Sequence, residues 1–303
     1  MFDILGLGCV AVDDLIYVEA FPSADAKTPV LRRDRQCGGL TTTALVAGAR
    51  LGSKCAYAGV LGTDELSVFA TGRMGQEGID LKHSRQRDGA GPVHSLIVVD
   101  ESHHTRNIFF DSSNAVGADE RWPDAKVIES ARVLFVDNFG LEGMIRAARV
   151  ARAAQIPVVA DFESDTDPKF PELLGLVDHL ILSQSFAQKL TGTSEPAEAA
   201  KLLWTKERKV VVVTCGAEGC WYLAGGEQVK HQPAFKVKEV DTTGCGDVFH
   251  GAYASTLARG VDLPERIRFA SAAAALKTTR PGGQAGIPTR SAVESFLKGQ
   301  TSV

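Results

Sequence analysis

The 303-residue chain lacks the marks of several large protein classes. No apolar run reaches the roughly 20 residues that a membrane-spanning helix needs, which argues against a helical membrane protein. Basic residues are not in excess. The 33 Lys and Arg against 37 Asp and Glu leave a formal charge of −4, so there is no basic field for nucleic acid or an anionic membrane surface. An anionic substrate must then be held by local groups. The six cysteines, Cys9, Cys37, Cys55, Cys215, Cys220 and Cys245, form no CxxC pair and have no histidine at ligand spacing. That pattern argues against zinc and reads as free thiols in a reducing cytosol. Met1-Phe2-Asp3-Ile4-Leu5 has no basic n-region, so a cytoplasmic protein without a signal peptide is expected. The remainder is ordinary for a globular chain with a large core: 44% apolar and 23% charged.

The stretch that organises the chain is Glu239 to Ala252. A Gly-x-Gly turn, Gly244 to Gly246, directly precedes a run that reads as a buried helix, Val248 to Ala258, and Asp247 falls in its first turn. Glycines let the backbone approach a ligand, and amides at a helix start have no internal acceptor and point at an anion. Aspartate there is also a common N-terminal cap. Here an anion pocket and a general base share one turn, which suits holding a developing phosphate charge while taking a proton from an alcohol.

Gly6-x-Gly8-x-x-Ala11, in a strand expected from Phe2 to Val12, imitates a dinucleotide fingerprint. That motif requires a helix at the glycines. Asp13 to Val18 alternates and is β-prone instead, which rejects a Rossmann oxidoreductase. From Asp119 the pattern becomes apolar strands (Val133 to Val136, Val158 to Ala160, Leu180 to Leu182, Val210 to Val213) with helices near 119–130, 141–154 and 195–206. Such runs predict parallel strands buried on both faces. Ligands sit beyond the carboxyl ends of such strands, at Asp137-Asn138, Asp161-Phe162-Glu163, Ser183-Gln184 and Thr214-Cys215-Gly216. Leu15 to Val18, Val30 to Gln36, Pro92 to Val99 and Arg106 to Phe110 are short strands that predict a separate small sheet. Its apolar side chains, among them Ile97, Val99, Ile108 and Phe110, need cover, so dimerisation is expected.

Asp241-Thr242-Thr243-Gly244-Cys245-Gly246-Asp247 closely resembles the Asp-Thr-x-Gly-x-Gly-Asp signature of the ribokinase-like (PfkB) carbohydrate kinases. The resemblance implies a ribokinase-like three-layer α/β sandwich with a mostly parallel sheet and a small β-sheet lid. Residues 1–12, 37–91 and 111–303 would form the body that binds nucleotide and substrate, and 13–36 and 92–110 the lid. The implied activity is ATP-dependent phosphorylation of a hydroxyl of a ketose or related sugar. Asp247 would be the base, and the Gly244, Cys245 and Gly246 amides the anion hole.

The same resemblance assigns further residues. Gly8 and Asp13 match a Gly-x-x-x-x-Asp pattern whose Asp binds sugar hydroxyls, although an Asp at a strand end is often a solvated turn residue. Gly38 and Gly39 open a small-residue helix and would approach the sugar; Thr43 stands where the family has Asn. Thr214-x-Gly216-x-x-Gly219, with Ser271 and Gly283, would take the nucleotide, though two glycines between strands also make a plain hairpin. The family's Asn-x-x-Glu is missing; Ser183-Gln184-Ser185-Phe186 stands in its place. Mg²⁺ would then be carried mainly by nucleotide phosphates and water, with Asp161 or Glu163 taking part. Asp241 and Thr243, with the Arg280 to Pro288 loop, imply K⁺ held through carbonyls.

His231 to Pro288 looks much like the bacterial 6-deoxy-6-sulfofructose kinases, with Lys27 near the sugar's anionic end. Asn138 stands where an arginine would grip a sulfonate, which leaves an acidic sugar or a plain ketose open. His103, His104 and Arg106 are substrate contacts or a solvated hairpin tip. Cys245, at a helix N-terminus, is expected to have a lowered pKa and to be open to oxidation. Two rival readings stand beside the sugar kinase: a non-catalytic sugar or nucleotide sensor on a degenerate kinase fold, and a nucleoside kinase.

Overall fold

The computed structural model describes residues 1–103, 105–226 and 228–300. It opens with β1 (Phe2–Gly6), β2 (Ala11–Val18), β3 (Arg32–Gly38) and α1 (Leu40–Arg50). Next come β4 (Cys55–Tyr57), β5 (Val60–Leu61), α2 (Glu65–Gln76), β6 (Arg85–Gln86), β7 (Val93–Asp100) and β8 (Thr105–Asp111). Alternation then sets in through α3 (Ala125–Glu129), β9 (Ala131–Val136), α4 (Leu141–Ala153), β10 (Val158–Asp161), α5 (Phe170–Leu176) and β11 (His179–Ser183). It continues with α6 (Gln184–Thr191), α7 (Pro196–Leu203), β12 (Val210–Thr214), β13 (Cys220–Ala224) and β14 (Lys230–Gln232). Three helices follow: α8 (Cys245–Ala258), α9 (Leu263–Thr278) and α10 (Arg290–Gly299).

Eight strands form one sheet in the order β14-β13-β12-β11-β10-β9-β1-β4. All of it is parallel except the β12–β13 and β13–β14 pairs. Alternate side chains of a strand leave on opposite faces. Val133 and Phe135 accordingly pack into a core with α1, α8 and α9. Leu134 and Val136 join a second core with α4 and α7. Both faces are covered, which gives three layers. Small residues set the helix spacing: a Cβ on Gly251 of α8 would stand 2.2 Å from the Ala44 carbonyl oxygen of α1. No helix among the described residues is long and apolar enough to cross a membrane.

A second, four-stranded sheet has the order β3-β2-β7-β8, and β5 and β6 pair separately. Its register puts Gln36, Asp13, Ser95 and Phe110 side by side, followed two residues along by Leu15, Ile97 and Ile108. Residues opposite one another share a face. Val99 and Arg106 belong to the same face. The apolar side chains expected to need a second subunit therefore lie on the side that carries Asp13 and Arg106. On the other face Leu96 and Phe109 are exposed, and every residue of the edge strand β8 is exposed.

Several local expectations change. Phe2 to Val12 is not one strand: the chain leaves the large sheet after Gly6 and enters the small one at Ala11. The helix near 119–130 shrinks to Ala125–Glu129. Proline disfavours helix at the residue before it, and Pro123 follows Trp122 in the lost segment. Helices α5 and α6 were not anticipated, being short and weakly periodic. His104 lies outside the described residues.

Candidate active site

The carboxyl ends of β9 and β10 bring Asp137 and Asp161 within electrostatic reach of Asp247 in the first turn of α8, and Arg106 of the small sheet reaches the same turn at Thr243. Gly244, at φ 73°, is the N-cap of α8, a backbone conformation that glycine adopts without strain. Val248 N–H already donates to the Gly244 carbonyl (3.0 Å). Cys245 N–H is taken by the Thr242 carbonyl at 3.1 Å, so of the three amides expected to face an anion this one is engaged internally. No oxygen among the described residues accepts from the amide of Gly244 or Gly246, and the Gly246 amide faces the Cys245 sulfur. Gly246 has open space beside it.

Asp247 sits in this turn with part of its surface still open. Burial, and then the charges of Asp161, Glu163 and Asp137, push its carboxyl well above the usual range, while Lys277 pulls it down. A carboxylate with raised proton affinity is a better base near neutral pH. Cys245 behaves contrary to expectation. Burial and the Asp247 charge raise its thiol, and the Lys277 charge only partly offsets them. It is a small, partly exposed side chain, not an activated thiolate.

Asp161 is only 6% exposed, and its Oδ2 has no hydrogen-bond partner. Burial lifts its pKa to about 6. His250 Nδ1 lies 3.3 Å from that oxygen. The two ring nitrogens of His250 face the Gly246 carbonyl (2.8 Å) and the Ile181 carbonyl (3.0 Å), pinning the anion-site turn to β11. Asp137 is knitted in more tightly. It accepts from Cys9 N–H (2.6 Å), the Thr41 hydroxyl (2.8 Å) and Phe139 N–H (2.8 Å). Asn138 Oδ1 accepts from Glu163 N–H at 3.1 Å, so its amide positions the neighbouring strand end.

On the lid side, a Cβ on Gly38 would lie 2.7 Å from Asp13 Oδ2. Gly39, at φ 98°, would push a side chain into the Cys9 carbonyl and Ala11 nitrogen. Both glycines are thus required to start α1 against β2. Burial raises the Asp13 carboxyl against a hydrogen bond from Ser95. Thr43 is buried, and its Oγ1 accepts from Gln284 Nε2 at 3.2 Å. Gln36 Oε1 accepts from Gly283 N–H at 3.1 Å, tying the small sheet to the 280–288 loop. Arg106 of β8 donates to Thr243 Oγ1 and stands 3.6 Å from Asp241 Oδ1. Gln36, Gln284, His250 and Lys277 were not legible in the sequence as neighbours of this turn. Nothing in their local spacing distinguishes them.

Three expected residues lie at the end of β12 and in the turn to β13. Thr214 closes β12, and its hydroxyl donates to the Leu182 carbonyl at 3.3 Å. Gly216 and Gly219, at φ 54° and 94°, make the tight β12–β13 turn, where a Cβ on Gly219 would be 2.0 Å from the Gln232 carbonyl oxygen. Ser271 is buried in α9. Gly283 faces Gly244, for a Cβ on the latter would be 3.0 Å from the Gly283 oxygen. Lys27 lies exposed on the loop between β2 and β3. Ser183, where Asn-x-x-Glu was missing, accepts from Phe186 N–H at 3.3 Å as the cap of α6.

No cluster of three or more His, Cys, Asp or Glu among the described residues has metal-holding geometry. Mg²⁺ fits only as an ion carried by phosphates and water, with the orphaned Asp161 oxygen beside it. K⁺ at Asp241 and Thr243 does not fit. Lys277 Nζ already donates to the Asp241 main-chain oxygen at 2.8 Å.

Together these features define an α/β fold with a buried acidic cluster beside the glycine-rich start of one helix. The comparisons agree. Residues 7–290 match the model of the pfkB family carbohydrate kinases, and the chain belongs to that family. It is an ATP-dependent carbohydrate kinase. It is 28% identical over 299 residues to a ribokinase of Haemophilus influenzae, covering 96% of this chain and 97% of that one. To the ribokinase of Mus musculus it is 31% identical, over 83% of this chain and 81% of that. A 5-dehydro-2-deoxygluconokinase of Shouchella clausii is 24% identical over 99% and 96%. Among solved structures, a ribokinase-like protein of Agrobacterium tumefaciens superposes at TM-score 0.92 with 26% identity, covering 100% of this chain and 99% of that. Arabidopsis thaliana ribokinase, complexed with ribose and ATP, shares the fold at TM-score 0.87 and 24% identity, covering 98% and 99%.

Proposed function

We propose that the chain transfers the terminal phosphoryl group of ATP to a hydroxyl of a ketose or related sugar, acidic or sulfonated sugars included. The observation that carries this reading is Asp247, raised in proton affinity by burial and sharing a turn with the amides of Gly244 and Gly246. Asp247 accepts the hydroxyl proton as the alcohol attacks, and the neighbouring amides stabilise the charge on the transferring group. Asp13, Gly38, Gly39, Thr43 and Asn138 border the sugar side. Thr214, Gly216, Gly219, Ser271 and Gly283 border the nucleotide side. Mg²⁺, carried on the phosphates, would offset their charge beside Asp161. Arg106, on the Asp13 face, supports an acidic substituent better than exposed Lys27 does.

The exposed edge β8, with Ile108, Phe109 and Phe110 uncovered, supports a homodimer through the lid. Six free cysteines support a reducing, cytoplasmic setting. ADP release over a panel of neutral, acidic and sulfonated sugars tests the activity. Release above the sugar-free rate is expected for at least one of them. Binding without release by any of them would favour the sensor, and release only with nucleosides the nucleoside kinase. A monomer by light scattering would remove the dimer.

A further inference from the structure

Lys277 is among the largest fully buried side chains of the protein, at 0% exposure. Lysine is almost never fully buried unless paired. It lies in the last turn of α9, where the helix dipole favours a cation. Its Nζ donates to the Asp241 carbonyl (2.8 Å), and the amides of Val240 and Asp241 donate to the Thr278 carbonyl (2.8 and 3.0 Å). The entrance of the Asp241–Asp247 loop is therefore fastened at one point to the end of α9. The Asp241 carboxylate is fully engaged as well. Thr243 N–H holds Oδ1 and Gly282 N–H holds Oδ2, each at 2.8 Å, and Arg106 approaches from the lid.

An ammonium and a potassium ion offer oxygen ligands the same unit charge. The difference is that the ammonium is tethered by its own chain and needs no ion from solution. A second cation at the same carbonyl would meet like-charge repulsion in a poorly solvated place. We infer that Lys277 is a built-in monovalent cation, which shapes the Asp241–Asp247 loop so that the enzyme works without K⁺ or Na⁺. Lys277 is a positioning residue, and the inference rests on the reading of this loop as the transfer site.

The experiment compares melting and turnover in choline chloride and in KCl at equal ionic strength. Wild type is expected to melt at the same temperature in both and to turn over at the same rate. Lys277→Met keeps the packed stem and removes the charge. It is expected to melt lower in choline chloride, to be raised by KCl or NH₄Cl, and to lose about ten- to a hundred-fold in turnover that the same salts partly restore. A wild type stimulated several-fold or stabilised by K⁺ overturns the inference. So does a Lys277→Met protein that melts and turns over as wild type in choline chloride. If the variant does not fold, the wild-type comparison alone decides. Because melting is read without turnover, it stands even if no sugar is phosphorylated.

Discussion

The floor and the lid of the cleft are built on opposite terms. Floor groups come from strand ends, a helix start and a helix end far apart in sequence: Asp137, Asp161, Asp247 and Lys277. Asp137, Asp161 and Lys277 are almost fully buried, and Asp247 keeps only part of its surface open. Burial pushes all three carboxyls up, Asp137 and Asp161 to about 6. On the lid, Asp13 is raised by burial like the floor carboxyls, but Asp14 on the opposite face is half-exposed and paired, gripped by Arg35 at 2.6 and 2.9 Å, which holds it below the usual range. Arg106 and Gln36 reach across to the floor but stay partly open to solvent. The floor fixes reacting groups where water competes poorly, and the lid presents side chains that can change without disturbing the core.

The contrast can be broken in order of expected effect. Asp247→Asn should lower turnover by about a hundred- to ten-thousand-fold with sugar affinity little changed, measured by ADP release and calorimetry. Turnover near the wild-type rate would take the base role from the floor. Asp13→Ala on the lid should instead act mainly on binding, raising the sugar KM by about ten- to a hundred-fold. A loss confined to kcat would move Asp13 into the chemistry.

Asp161→Asn sharpens the electrostatic half of the comparison. The Asp161 carboxyl binds its proton more tightly folded (about 6) than at its ordinary value of 3.8. Its stabilising effect is complete below pH 3.8 and is lost as pH rises through about 6. The asparagine cannot ionise, so the variant's Tm minus that of wild type should increase from pH 4 to pH 7. A flat difference would mean the group is not strained by burial. The smallest effect belongs to Cys245. With its thiol raised by burial, wild type should resist peroxide and thiol-blocking reagents as well as Cys245→Ala does. Protection by the alanine variant would show that the thiol is reactive after all.

Much of this was legible in the chain. The Val/Ile/Leu runs of β9 to β12 announced a parallel sheet because strands buried on both faces need apolar residues at every position. The turn of Asp247 and its glycines was legible because a glycine-capped helix start is a local device, contained in seven residues. Less was legible in the break at Leu7 to Val10, since apolar residues continue across it and only the change of sheet ends the strand. The engaged Cys245 amide escaped for a related reason: the bond to Thr242 depends on how tightly one turn is wound.

By itself, then, the sequence determined the layer order, the parallel strands and the turn that carries Asp247 and its glycines, because each follows from periodicity or from residues adjacent in the chain. Only the tertiary structure decided what surrounds that turn. It set Lys277 against the Asp241 carbonyl, His250 between Gly246 and Ile181, and Arg106 over Thr243. The partners in those contacts stand 4 to 137 positions apart, and apart from the one-turn His250–Gly246 pair no local pattern relates them. Their charges and hydrogen bonds acquire meaning only when packing removes water from between them.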